Sequence, residues 1–209
     1  MEDVTDIVFR HVVTRAARPD VFVTEFTNTA SFCSEQGNFS TIGRLAHGAG
    51  EAPIVAQIWG TEPDHFAAMS HALREQGFDG IDINMGCPAK DVVKIGAGSG
   101  MIGNCQLAQQ IIAATKEGGL PVSVKTRLGR TRVAEYRDWI TFLLSQKLGD
   151  EQIPGPLRAD LQAGQLARSA ITTDQAGHQR RYRRLCPDHG TPSSAPRRRW
   201  LHDRARRLR

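Results

Sequence analysis

The sequence predicts an α/β protein whose sheet is parallel and built from βαβ units. Three observations carry this. Short β-branched or aliphatic segments alternate with amphipathic helical segments from Val21 to Leu143. Ile54-Val55-Ala56-Gln57-Ile58 is nearly all apolar, as a parallel strand covered on both faces should be. After about Ser145 the pattern stops, so the chain divides into residues 1–146 and an unlike tail, 147–209.

Length and charge bound the answer. A chain of 209 residues holds one domain but is short for a complete (β/α)8 barrel. The net charge of +5 is unevenly placed. Residues 1–146 hold 13 Lys+Arg and 16 Asp+Glu, a balance of −3. Residues 147–209 hold 14 and 6, a balance of +8. The basic character belongs to the tail, and the first part has no basic stripe for RNA. The four cysteines (Cys33, Cys87, Cys105, Cys186) make no C-x-x-C pair and show no metal-ligand spacing with histidine. No metal, no membrane span and no signal peptide are expected, and a reducing, cytoplasmic setting fits.

Taken in order, Asp3 or Thr5 can cap a first helix in which Val4, Ile7, Val8, His11 and Val12 recur at helical spacing. Val21–Phe26 is a strand of β-branched and aromatic residues. The polar stretch from Thr27 to Gly50 should hold one weak helix. Ile54–Ile58 is the next strand, and Gln57 is its one polar residue. Its amide is either a structural hydrogen bond to a neighbouring strand or a donor and acceptor aimed at a ligand edge. Thr61-Glu62-Pro63-Asp64 opens a helix with Phe66, Met69 and Leu73 as its buried stripe, and Gly77 ends it. Asn104 can cap a helix bearing Leu107, Ile111 and Ile112 that ends at Gly118-Gly119. Pro121–Arg127 is a further strand. Ser123, Lys125 and Arg127 share one face, so two cations emerge together at its C-terminal end. Either they are snorkelling side chains or a ligand lies between them. Tyr136, Trp139, Ile140 and Leu143 form a last helical stripe.

The chemistry concentrates in Gly80–Val92. Ile81 and Ile83 point to one face of a strand, and Asp82 and Asn84 to the other. The strand ends at Met85-Gly86, and a Gly-Cys-Pro turn lifts Cys87 off its C-terminal end, where parallel α/β proteins place their catalytic groups. Gly86 permits a tight backbone and Pro88 stiffens it. A lone cysteine is often only a small buried hydrophobe. Here the context is longer. Ile81-Asp82-Ile83-Asn84-Met85-Gly86-Cys87-Pro88, followed at fixed distance by Val92 and Gly98-Ser99, resembles the signature of the tRNA-dihydrouridine synthase family, and the likeness runs from Met1 to about Leu144.

That resemblance implies a (β/α)8 TIM-type barrel, present here in part as about strands two to five with their helices. It implies FMN as cofactor, NADPH as reductant and tRNA as substrate, with uridine reduced to 5,6-dihydrouridine. Cys87 would be the acid that protonates C5 of the uracil after hydride reaches C6 from the opposite face. Gln57 would bind the isoalloxazine ring, Lys125 would lie against its pyrimidine edge, and Met1 would sit on a loop touching the flavin. Asn84 and Arg127 would bind the uridine. A monomer is expected. The family's first strand before Met1, and its phosphate loops and helical RNA-binding domain after residue 146, are not recognisable. The expectation is therefore a late start or a 5′ truncation, a missing phosphate half of the FMN site, and an impaired fragment. Residues 147–209, with thirteen arginines and no Phe, read as out-of-frame translation or as a genuine basic tail for RNA phosphates, disordered in either case. The rival functions are another FMN barrel oxidoreductase of a small molecule, and a non-catalytic basic-tailed RNA-binding fragment.

Overall fold

The computed structural model describes residues 4–131 and 136–148. Met1 and residues 149–209 lie outside the described residues, and the expectations placed on them are not addressed by it. The described part is a parallel sheet curled into part of a barrel, with helices on its outer side.

Its axis is the pair β3 (Ile54–Trp59) and β4 (Gly80–Met85). β5 (Val122–Thr126) pairs with β4, while β1 (Phe22–Val23) and β2 (Thr27–Asn28) both pair with β3. Every pairing is parallel, and the spatial order follows the chain order. No reversal occurs, so the sheet is wound in one sense, as a barrel requires and a doubly wound sheet does not. The outward residues Ile54, Ala56 and Ile58 on β3 and Ile81, Ile83 and Met85 on β4 are all at most 2% exposed. They pack under α4 (Pro63–Glu75), α6 (Cys105–Lys116) and α7 (Tyr136–Ser145). The α4 stripe is the predicted one: Phe66, Met69 and Leu73 are fully buried. Burying each such side chain contributes about 1.5–3 kcal/mol, and this outer layer supplies most of the fold's driving force. Asn104 caps α6 by accepting from Leu107 N at 3.2 Å, as expected. Among the described residues, no helix is long and apolar enough to cross a membrane.

Three local expectations are corrected. The first concerns the strand over Val21–Phe26, which is broken. From Val23 to Thr27 the chain advances four residues while β3 advances three, from Val55 to Ile58. The extra residue is a bulge. At that point Gln57 N donates to the Thr24 hydroxyl at 3.0 Å, so a side chain fills a ladder position. Glu25, 4% exposed, turns in at the break and accepts from Val4 N and Thr5 N at 2.9 and 3.2 Å. The second correction is that the stretch after β2 holds two helices, α2 (Thr29–Cys33) and α3 (Glu35–Leu45), capped by Asn28 and Ser34. The third is that α1 (Ile7–Ala16) is capped by Asp6, which accepts from Phe9 N at 2.8 Å, and not by Asp3 or Thr5. Its buried residue is Arg10, paired with Glu51 at 2.8 Å, while Val8 and Val12 face outward. The remaining helix, α5 (Lys90–Lys94), is a short turn after the Cys87 loop.

Where α6 ends, its chain runs against the backbone of α4. A Cβ at Gly118 would stand 2.6 Å from the carbonyl carbon and oxygen of Ser70. Backbone cannot step aside as a flexible side chain can. Gly118→Ala should therefore cost about 1–3 kcal/mol, read as a lower urea midpoint with unchanged slope. An unchanged midpoint would mean that α4 and α6 are not held this close.

Candidate active site

The inward face of the sheet is polar where the outward face is apolar. Gln57, Asp82 and Ser123 stand side by side, since Gln57 is in register with Asp82 and Asp82 with Ser123. Gln57 Nε2 donates to Asp82 Oδ2 at 2.7 Å, and Ser123 Oγ donates to Asp82 Oδ1 at 2.7 Å. One step nearer the strand ends, Asn84 stands opposite Lys125. Asn84 Nδ2 donates to Gln57 Oε1 at 3.2 Å. Asn84 Oδ1 accepts from Gly86 N at 3.1 Å and from Cys87 N at 3.0 Å. The four side chains form one continuous ladder across β3, β4 and β5, ending in the backbone of the thiol loop.

That loop is held from its other side as well. Ser99 N donates to Cys87 O at 2.9 Å. Gly98 has φ +55°, and a Cβ there would lie 2.7 Å from Cys87 O. The position demands glycine on both counts. Gly86 runs close to β5, with its Cβ position 3.2 Å from the Thr126 carbonyl carbon. Cys87 is a free thiol, half-buried, at the C-terminal end of the sheet.

Of the residues predicted from sequence, Gln57, Asn84 and Lys125 therefore share one face, with Cys87 tied to them through Asn84. Gln57 makes the cross-strand bond and has hydrogen-bonding capacity left. An amide carries two N–H donors and two lone pairs. Gln57 spends one of each, and Asn84 keeps one N–H. Lys125 is exposed on the same face, and Arg127 lies exposed just past β5. A flavin pyrimidine edge presents an N–H between two carbonyls, so a donor, an acceptor and an ammonium on one face fit its chemistry. Met1 lies outside the described residues. Sequence reasoning missed Asp82 and Ser123. The alternation that put Asp82 beside Asn84 was visible, but its partners come from strands 25 and 41 residues away.

Burial pushes the Asp82 carboxyl above its ordinary value of 3.8, against the opposing effects of the Ser123 and Gln57 hydrogen bonds and the Lys125 charge. The folded state thus holds this proton more firmly than the unfolded chain. The stability it contributes is present below the ordinary value and is lost as pH rises through the raised one. Asp82→Asn can still accept from Gln57 and donate to Ser123 while removing the buried charge. Its urea midpoint should match or exceed the parent's at pH 7, and the gap should close as pH falls toward 4. A gap that widens on acidification would contradict this.

The family model for dihydrouridine synthase matches residues 1–143. The chain is 53% identical over 161 residues to a probable tRNA-dihydrouridine synthase 2 of Bacillus subtilis, covering 77% of this chain and 50% of that protein. It is 56% identical over 153 residues to probable tRNA-dihydrouridine synthases of Staphylococcus epidermidis and Staphylococcus aureus, covering 73% of this chain and 47% of each. The chain spans about half the length of the curated relatives it matches. With the family model covering residues 1–143, the chain belongs to the dihydrouridine synthase family.

Proposed function

We propose that this chain carries the flavin-ring and thiol side of a tRNA-dihydrouridine synthase, which uses FMN and NADPH to reduce uridine in tRNA to 5,6-dihydrouridine. The observation that carries the reading is the Cys87 loop. It is pinned through Asn84 Oδ1 and Ser99 N beside a face that offers an amide donor, an amide acceptor and the Lys125 ammonium. Gln57 and Lys125 would hold FMN, which when bound and reduced by NADPH would supply the hydride for uracil C6. Cys87 then gives its proton to C5 from the other face, and the resulting thiolate regains a proton from water. Together these add two electrons and two protons across the C5–C6 bond. Gln57 meets the ring edge with its remaining N–H and lone pair. Lys125 places positive charge at the pyrimidine edge, where negative charge gathers on reduction. Asn84 offers its spare N–H to the uracil, and Arg127 lies toward the nucleotide. Met1, at the start of the matched segment, belongs to the flavin side. The base must leave its stack to reach this face, at a cost of a few kcal/mol. The same reading makes the protein cytoplasmic and monomeric.

Two arms test it. FMN titrated into the 209-residue chain should lose fluorescence on binding. Lys125→Ala should weaken that binding about 10-fold, and Cys87→Ala should change it less than about 2-fold. The second arm replaces the matching segment of the Bacillus subtilis relative with residues 1–143 and measures dihydrouridine in tRNA. There Cys87→Ala should cost about 10² to 10⁴ in rate, the usual worth of a positioned general acid. Dihydrouridine formed at the parent rate would return Cys87 to a structural role. Turnover of an enone or of dihydroorotate with no action on tRNA would favour a different flavin oxidoreductase.

A further inference from the structure

The polar ladder has a direction, and both of its ends dictate that direction. At the loop end, Gly86 and Cys87 present N–H groups, which only the oxygen of Asn84 can meet. At the other end, Asp82 Oδ2 accepts from Gln57 Nε2 at 2.7 Å while Oδ1 accepts from Ser123 Oγ, so the Gln57 nitrogen is the atom turned toward Asp82. Gln57 Oε1 is then left facing Asn84 Nδ2, an acceptor against a donor. A flipped Gln57 would put oxygen against the Asp82 carboxylate and nitrogen against nitrogen at Asn84. Ser123, from β5, donates to the second carboxylate oxygen and keeps Asp82 facing Gln57. Asp82 and Asn84 are 9% and 4% exposed, so water competes little for these bonds.

We propose that Asp82 is a positioning residue that acts through Gln57 and Asn84 to hold the Cys87 loop and to fix which way the Gln57 amide presents its spare N–H and its spare lone pair. It touches neither the thiol nor the reacting base. Its influence travels along four hydrogen bonds, from Asp82 to Gln57, to Asn84, and from there to the backbone N–H groups of Gly86 and Cys87. The importance of this for catalysis rests on Cys87 being the proton donor, but the holding of the loop does not. Lys125, in register with Asn84 and electrostatically coupled to Asp82, is the charged neighbour on the same face. Exposed to solvent, it can move without breaking the ladder.

Residue-resolved amide hydrogen exchange on the 209-residue chain, without flavin or tRNA, tests this. Asp82→Ala should speed exchange at Gly86 and Cys87 about 10-fold relative to Ile81 and Ile83 of the same strand. Asp82→Asn, which can still accept from Gln57, should restore the parent rates within about 2-fold. In an Asn84→Ala background, Asp82→Ala should add nothing at those two amides, because the relay is already cut. Should Asp82→Ala lose protection throughout, Gln57→Leu carries the test. It leaves Asp82 bonded to Ser123, interrupts the relay one step nearer the loop, and should give the same 10-fold local rise. Unchanged exchange at Gly86 and Cys87, or additive effects of Asp82→Ala and Asn84→Ala, would overturn the proposal. Because no turnover is measured, that failure is distinct from a failed dihydrouridine assay.

Discussion

A carboxylate buried between strands is the constraint on which the site depends. Asp82 bridges β3 and β5 through Gln57 and Ser123, at 2.7 Å on each side. Such a group is costly, and it is tolerated only when both oxygens are met. Here they are, and the Lys125 charge helps. The remaining cost falls on the outward face of the same strand, where Ile81, Ile83 and Met85 are wholly buried. One six-residue strand thus does two opposed jobs. Its odd-numbered residues drive burial, and its even-numbered residues spend part of that stability on orientation.

The thiol loop shows the same division. Hydrogen bonds from Asn84 and Ser99 hold its backbone, and glycines make room for it. Gly98 is required twice over, by its φ of +55° and by the 2.7 Å approach to Cys87 O. Gly86 lets β4 leave the sheet while staying against Thr126. Pro88 fixes φ on the far side of the thiol. In the role proposed for Cys87, a loop held from both sides would lose little further freedom when a base arrives, which is what a general acid needs if its proton is to be in place for the reaction.

Elements with strong periodicity were legible in the sequence, and elements defined by distant partners were not. The α4 helix could be read from Phe66, Met69 and Leu73, and β4 from strict alternation, because each puts one apolar face into the same core. The break between β1 and β2 could not. It exists because the Thr24 hydroxyl takes a ladder position from Gln57 N, 33 residues on. The α3 helix was obscured by Gly37 and Gly43 and by having only Thr41 and Leu45 buried, although Ser34 marked its start. In the site, Cys87, Asn84, Gln57 and Lys125 could be named from a motif, but their mutual bonds could not. Asp82 looked like one more polar residue until its partners arrived from two other strands.

The distribution of these residues explains why the thiol loop and its partners are compact within a chain that spans about half the length of the relatives it matches. Among the described residues, β3 and β4 have partners on both edges, while β5 is paired on one. Gln57, Asp82 and Asn84 all lie on the two doubly paired strands, and Ser123 is bonded directly to the inner one. Every bond in the ladder is therefore made inside the described sheet, with 25 to 41 residues between most partners but no contribution from beyond residue 123. Lys125 and Arg127 sit further out, exposed on the strand paired on one edge. The Gln57 amide and the Cys87 loop are thus oriented by bonds made between this segment's own strands, while the two cations stand outside that network.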